Sequence, residues 1–281
     1  MPSTAAAPLP AEEPRLFLEA GLREPVLLQA FDWSLALYSR GRPGQDAPNE
    51  DAAAVLPYDA RSGLLVVADG VGGLHAGEEA ARTAVEGLRE AVERARREEG
   101  SLREAVLDGI ERANTRLLAR GDGAATTLAV LEVAGRSARP YHLGDAEILV
   151  CGQRGKLKHR TVAHTPVGFG VEAGLLDEQE ALHHADRHLV SNVLGAADMR
   201  IEIGPRLDLA RFDTAILGSD GLFDNLTEEE LVDLIRKGPL RQAAHALARR
   251  IGERMREVAG THPSKPDDLT FVLARPPRPT P

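Results

Sequence analysis

The sequence predicts an α+β fold of antiparallel sheet layers covered by pairs of helices. Three observations point there. Helical stripes come two in a row, over residues 84–95 and 102–117, and again from 227 and from 240. Short apolar runs rich in β-branched residues stand on both sides of each pair. The chain also lacks the regular strand–helix–strand alternation of a doubly wound parallel sheet.

The elements follow in order. Residues 1–22 are rich in Pro, Ala and Glu and read as a flexible N-terminal arm. Residues 26–38 read as one stretch of strand with an aromatic centre at Phe31 and Trp33, and 41–48 as a Gly/Pro loop. Residues 52–56 and 64–68 form a hairpin-like pair around a turn at 58–63. Ala84, Leu88, Ala91, Val92 and Ala95 share one helix face; Leu102, Val106, Gly109, Ile110, Ala113 and Leu117 share a second, which stops near Gly121. Strands are expected over 126–133, 139–143, 147–151, 214–217 and 269–273. Thr227-Glu228-Glu229-Glu230 is a capping box that opens a helix. Leu240, Ala244, Leu247, Ile251, Met255 and Val258 form the last stripe. Residues 165–198 have weak periodicity and read as a long flap-like excursion, the kind of segment that usually carries function. The expected organisation is one domain over 23–275 and a frayed tail over 276–281.

The formal net charge is −9, from 43 acidic and 34 basic side chains. This balance argues against a nucleic-acid or anionic-membrane binder, which needs a basic face to release counterions. No apolar run approaches the roughly 20 residues of a spanning helix. The opening MPSTAAAPLPAEEPR lacks the basic start and apolar stretch of a secretory signal, so the expected location is cytoplasmic. The single cysteine, Cys151, excludes an intramolecular disulfide and a thiolate metal cluster; with no CxxxxxR phosphate loop beside it, it reads as a small core residue. Four basic residues are lysine (Lys156, Lys158, Lys237, Lys265), leaving 34 − 4 = 30 arginines, a composition that points to a GC-rich bacterial genome.

The aspartates fall at strand ends. Asp69 ends LLVVA and precedes Gly-Val-Gly-Gly; Asp220 ends TAILGS and precedes Gly221; Asp145 follows YHLG. Asp51, preceded by Glu50, opens AAAVL, and Asp267 and Asp268 precede LTFVL. One Asp-Gly at a strand end is an ordinary turn signal. Carboxylates at five strand ends are more than that, because buried together they repel one another unless cations sit between them. Hard divalent ions such as Mg²⁺ and Mn²⁺ take oxygen ligands. Two such ions about 4 Å apart can share a carboxylate and convert a water into a nucleophile. The glycines after Asp69 and Asp220 are expected to let the backbone turn sharply there.

Taken in order, NEDAAAV (49–55), VVADGVGGLHAGEEAAR (66–82), AATTLAVLEV (124–133), HLGDAEILV (142–150), ILGSDGLFDNLTEEEL (216–231) and DDLTFVL (267–273) resemble the signature blocks of the metal-dependent protein phosphatases of type 2C, over about residues 49–273. The resemblance implies a four-layer αββα sandwich, with two antiparallel sheets flanked by helix pairs and two Mn²⁺ or Mg²⁺ ions at one end. It implies hydrolysis of phosphoserine or phosphothreonine in proteins by direct attack of a metal-activated water, on substrates phosphorylated by a Ser/Thr kinase. Carried over, Asp69 would bridge the two ions and Gly70 would offer its backbone carbonyl. Asp220 and Asp267 would bind one ion, with Asp268 the alternative to Asp267, and Asp51 or Glu50 would hold the other. Asp145 with Asp220 matches the place of a weaker third ion. Asp69 and Asp220 are thereby the central catalytic candidates.

The chain departs from that pattern in places. Many relatives carry a phosphate-clamping arginine shortly before Asn-Glu-Asp; here the candidate is Arg42, seven residues before Asn49, whose other reading is a solvated loop arginine. Val71 stands where some relatives have a histidine proposed as general acid; His75, four residues on, is the candidate proton donor. Asp268 replaces the asparagine that usually follows the last metal aspartate. The excursion holds His164, His183, His184 and His188, and the i, i+4 spacing of His184 and His188 suits Zn²⁺ on a helix; the other reading is a variable flap that shapes substrate choice. Two alternatives to a protein phosphatase stay open on sequence alone: an inactive relative that acts as a binding or scaffold module, and a hydrolase of small phosphate esters.

Overall fold

The computed structural model of the chain describes residues 9–10, 13–44, 47–71, 76–187, 189–256 and 263–277. In chain order the strands are β1 (Leu9–Pro10), β2 (Arg15–Leu18), β3 (Val26–Ala30), β4 (Trp33–Arg40), β5 (Asp51–Pro57), β6 (Ser62–Val71), β7 (Ala125–Ala134), β8 (Ser137–Leu143), β9 (Glu147–Cys151), β10 (Leu157–Arg160), β11 (Glu202–Ile203), β12 (Leu207–Asp208), β13 (Thr214–Gly218) and β14 (Leu269–Arg275). The helices are α1 (Ala76–Glu98), α2 (Leu102–Arg120), α3 (Pro166–Glu172), α4 (Glu178–His183), α5 (Asp220–Phe223), α6 (Glu228–Ile235) and α7 (Leu240–Arg254).

The strands make two sheets, ordered β1-β3-β4-β14-β13-β9-β10 and β11-β8-β7-β6-β5-β2, with β12 also on β8. All pairings are antiparallel except β1 with β3. The apolar runs are continuous because both faces of the inner strands are covered. In β5, Ala53 and Val55 face the other sheet, while Ala52, Ala54 and Leu56 face α1 and α2. Leu65 and Val67 of β6 join Trp33, Leu35, Ile148, Leu217 and Val272 between the sheets. On the far side, Leu149, Ile216 and Phe271 pack under Leu231, Ile235, Leu247 and Ile251 of α6 and α7. The result is the predicted αββα sandwich. The Thr227 capping box is formed, with Glu230 N–H donating to Thr227 Oγ1 at 3.3 Å and Thr227 N–H to Glu230 Oε2 at 3.1 Å.

Three expectations are corrected. Residues 15–18 are not part of a loose arm: they form β2, in register against Ala52–Val55 at the sheet edge, with Leu16 and Leu18 packed on the helix-side core. Polar composition on either side hid a four-residue strand. Residues 26–38 are not one strand but a tight hairpin, because Phe31 (φ 40°) and Asp32 (φ 66°) both take the left-handed conformation of a two-residue turn. No Asn-Gly or Asp-Gly signals it; Asp32 tolerates that backbone. The 165–198 excursion, read as irregular, contains two capped helices. Thr165 Oγ1 accepts the Gly168 N–H at 2.8 Å, and Asp177 and Glu180 form a capping box.

Candidate metal centre

Antiparallel order explains why distant aspartates meet. β5, β9 and β14 begin at the end of the sandwich where β6, β8 and β13 finish. Asp51 and Asp69 are direct cross-strand partners in β5 and β6. Asp145 sits in the β8–β9 turn, Asp220 opens α5 just past β13, and Asp267 lies ahead of β14. Hydrogen bonds join the sheets there: Ser219 Oγ donates to Asp51 Oδ2 at 2.8 Å, and the Asp220 N–H points at Asp69 Oδ2 at 3.3 Å. Thr126 Oγ1 donates to the Asp69 carbonyl at 2.8 Å, which fixes the end of β6. Asn49 is buried and locks the approach to Asp51, accepting the Asp51 N–H at 3.0 Å and donating to Ser39 Oγ at 2.9 Å.

The electrostatics are those of carboxylates crowded together in a buried place. Burial, followed by the charge of Asp268, pushes Asp51 well above the ordinary carboxylate range. Burial, then Asp220, Asp51 and Asp145, does the same to Asp69; burial, then Asp145, does so to Asp220. Burial and Asp224 raise Asp145 to about 7. Asp51 is only 2% exposed, and its Oδ1 has no hydrogen-bond partner among the described residues. A buried carboxylate oxygen left without a donor is costly. Carboxylate oxygens gathered in one buried place are the donor set that hard divalent cations require. The residues therefore fit a metal centre.

The glycines serve close approach rather than the sharp turn expected of them. Gly70 lies within β6, where a Cβ would come within 2.3 Å of the Gly77 backbone at the start of α1. A Cβ on Gly221, inside α5, would come within 1.9 Å of the Asp268 carbonyl. Neither position has a positive φ. Any side chain here would force α1 or the β14 entry away from the carboxylates.

Asp267 and Asp268, which the sequence leaves interchangeable, point to different tasks. Asp268 spends both oxygens on backbone: Oδ1 accepts the Arg42 N–H at 2.7 Å and Oδ2 the Glu50 N–H at 2.6 Å. It clamps the loop that leads into β5. Asp267 Oδ1 accepts the Asp268 N–H at 3.0 Å, and its Oδ2 lies 3.1 Å from the Lys265 ammonium that also bonds Asp220. Glu50 brings its backbone carbonyl and Oε2 close to Gly70 and Gly77. Arg42 is exposed at the rim, its amide pinned by Asp268. His75, the candidate proton donor, and His188, half of the candidate zinc pair, lie outside the described residues. His184 accepts the Asp186 N–H through Nδ1 at 3.1 Å.

Sequence reasoning missed Asp224, Asn225 and Lys265. The Lys265 ammonium is 3.1 Å from both Asp224 Oδ2 and Asp267 Oδ2 and is hydrogen-bonded to Asp220 Oδ2. Burial disfavours its charge, but the three carboxylates outweigh burial and hold it protonated. Asp224 stands four residues from Asp220, one helical turn on, a spacing that could have flagged it.

The structure also gathers His142, His164 and Glu202, with ligand atoms within 4.8 Å of one another. His164 Nδ1 accepts the Gly144 N–H at 3.1 Å, so its Nε2 carries the proton and donates to Glu202 Oε2 at 3.1 Å. A metal at Nε2 would have to displace that proton. The residue instead anchors the excursion to the turn that carries Asp145 through its main chain as well as its ring: the His164 N–H donates to the Gly144 carbonyl at 2.9 Å and the Ser191 N–H to the His164 carbonyl at 2.8 Å. Between excursion and α5 runs a cleft of about 360 Å³, from Asp145, Asp220 and Asp224 past Arg160 to Val167 and Leu182. Cys151 is buried, and burial with nearby Asp213 pushes its thiol up to about 11, the opposite of a nucleophile's tuning.

The family model for protein phosphatase 2C matches residues 40–257. The chain belongs to the protein phosphatase 2C family. It is 30% identical to the protein phosphatase PhpP of Streptococcus pneumoniae over 197 residues, 66% of this chain and 78% of that protein. Among solved structures, the phosphatase resembles the serine/threonine phosphatase of S. agalactiae (TM-score 0.72, 22% identity, covering 86% of this chain and 99% of that one). It also resembles the catalytic domain of PstP, a protein of Mycobacterium tuberculosis, in complex with two manganese ions (TM-score 0.65, 25% identity, 86% and 98% covered). Phosphatases of this family use divalent metals. Among the described residues, no helix of the phosphatase is long and apolar enough to cross a membrane.

Proposed function

We propose that this phosphatase hydrolyses phosphoserine and phosphothreonine in bacterial cytoplasmic proteins, at a centre of two Mn²⁺ or Mg²⁺ ions. Asp69 would be the shared ligand, Asp220 and Asp267 would hold one ion, and Asp51 with Glu50 and the Gly70 carbonyl would hold the other. The observation that carries this reading is the buried Asp51, whose Oδ1 has no hydrogen-bond partner among the described residues and whose cross-strand partner is Asp69. Uncatalysed phosphate monoesters are among the slowest biological substrates, so the centre must supply on the order of 20 kcal/mol. When bound, the two ions lower the pKa of a water and neutralise charge on the phosphoryl oxygens. Among the chain's own groups, Arg42 offers a guanidinium to the phosphate from the rim, and the sandwich end holds the carboxylates in a fixed array, so little reorganisation is needed during reaction.

The cleft of about 360 Å³ beside Asp145, Asp220 and Asp224 has room for residues flanking the phosphorylated one, which favours a protein over a small ester. The full set of carboxylates disfavours an inactive scaffold role. The test is turnover of phosphothreonine and phosphoserine peptides against nucleotide and sugar phosphates, with Mn²⁺ and then EDTA. Peptide turnover that vanishes with EDTA and returns with Mn²⁺ supports the reading; faster turnover of the small esters, or none at all, overturns it. Arg42→Ala should raise KM for phosphopeptide while leaving Mn²⁺ affinity unchanged; an unchanged KM removes Arg42 from the site. The opposing enzyme would be a Ser/Thr kinase, whose product is this substrate.

A further inference from the structure

Asp220, Asp224 and Asp267 share one ammonium. Lys265 Nζ lies 3.1 Å from Asp224 Oδ2 and 3.1 Å from Asp267 Oδ2, and it is hydrogen-bonded to Asp220 Oδ2. The backbone delivers it there. Asn225, fully buried, accepts the Lys265 N–H through Oδ1 at 2.9 Å and donates from Nδ2 to the Lys265 carbonyl at 2.9 Å. The same Nδ2 donates to the Gly221 carbonyl at 2.9 Å, so α5 and the lysine are fixed to each other. Arg254 Nη1 holds the Asn225 carbonyl at 3.0 Å, and Ser264 Oγ holds the Arg254 carbonyl at 2.8 Å. Pro266 follows and restricts the backbone of Lys265.

Residue type matters at this point. Lysine is rare in this chain, four of 34 basic side chains, and one of the four stands here. An ammonium is a compact point charge that can sit among three carboxylates; a guanidinium is a broad planar fork.

We propose that Lys265 is a built-in cation of the centre: its ammonium fills the place between Asp220, Asp224 and Asp267 that would otherwise accept a further divalent ion, so the wild-type chain holds two ions and excludes a third. This rests on the two-ion reading given above. It departs from the third ion that the sequence resemblance implies at Asp145 and Asp220.

The test counts ions. Protein stripped with EDTA is dialysed to equilibrium against Mn²⁺, and bound manganese per chain is measured by plasma mass spectrometry. Wild type is expected to hold two ions and Lys265→Met three. Lys265→Met combined with Asp224→Asn should return to two. A wild-type crystal grown with Mn²⁺ needs no variant to fold: Lys265 Nζ is expected to stay against Asp220 and Asp224 with no manganese between them. Equal non-zero counts in wild type and Lys265→Met overturn the proposal and spare the two-ion reading. So does manganese between Asp220 and Asp224 in the wild-type crystal, with Lys265 swung out. No bound manganese in any chain overturns both.

Discussion

Ser219 and Asp51 are 168 residues apart, yet the Ser219 hydroxyl donates to Asp51 Oδ2 at 2.8 Å and joins the two sheets where the carboxylates meet. Ser219 Oγ also accepts the Thr270 N–H at 3.1 Å. Ser219→Ala would strip both bonds and leave Asp51 with the Thr270 hydroxyl as its remaining side-chain donor. The expected loss in the metal-free protein is about 1–3 kcal/mol, as for a buried group losing its partner. Urea unfolding of the EDTA-treated variant measures it, and an unchanged midpoint would contradict the bond's importance.

Asp145 is held near 7 against an ordinary 3.8, and Asp51, Asp69 and Asp220 are raised as well. A carboxyl whose folded pKa is raised binds its proton more tightly in the native state. Its stabilisation is full below about pH 4 and is lost as pH rises through the folded value. Metal-free protein should therefore lose stability between about pH 4 and pH 7, the window of Asp145. Mn²⁺ at 100 times its Kd should restore about 2.7 kcal/mol per site at neutral pH. Unfolding free energies across that range, with and without Mn²⁺, check both signs; a metal-free protein most stable at neutral pH would refute them.

Asp69→Asn and Asp220→Asn each remove a charge that the other carboxylates oppose. Both variants should fold, with the metal-free Tm equal to or above wild type, and both should lose more than nine-tenths of peptide turnover. A variant that keeps more than a tenth of the wild-type rate does not have the assigned role.

The two neighbouring aspartates should separate cleanly. Asp267→Asn is expected to weaken Mn²⁺ binding at least tenfold, because its Oδ2 gathers with Asp220 Oδ2 around the same ammonium. Asp268→Ala should leave Mn²⁺ affinity within about threefold and instead free the loop of Arg42 and Glu50, read as faster amide hydrogen exchange over 41–50. The reverse pattern would exchange their roles.

The sequence revealed what repeats over several residues or depends on residue type. The helix stripes as far as Met255, the Thr227 capping box and the aspartates near strand ends lie where periodicity and spacing put them; Val258, the end of the last stripe, lies outside the described residues. What stayed hidden depends on single dihedrals or long-range pairing. Two positive φ values at Phe31 and Asp32 split one apparent strand into a hairpin. The strand Arg15–Leu18 exists because β5 offers it an edge. Asp267 and Asp268 look alike in a string of letters; the Arg42 and Glu50 amides, 226 and 218 residues away, tell them apart. Lys265 reaches the centre only because Asn225 grips its backbone.

The most direct test is an anomalous difference map at the manganese edge from a crystal grown with Mn²⁺. Two peaks are predicted, both touching Asp69, one reaching Asp220 and Asp267 and the other the Asp51 side. A map with no peak at Asp69, or with manganese only at the histidines of the excursion, would contradict the account.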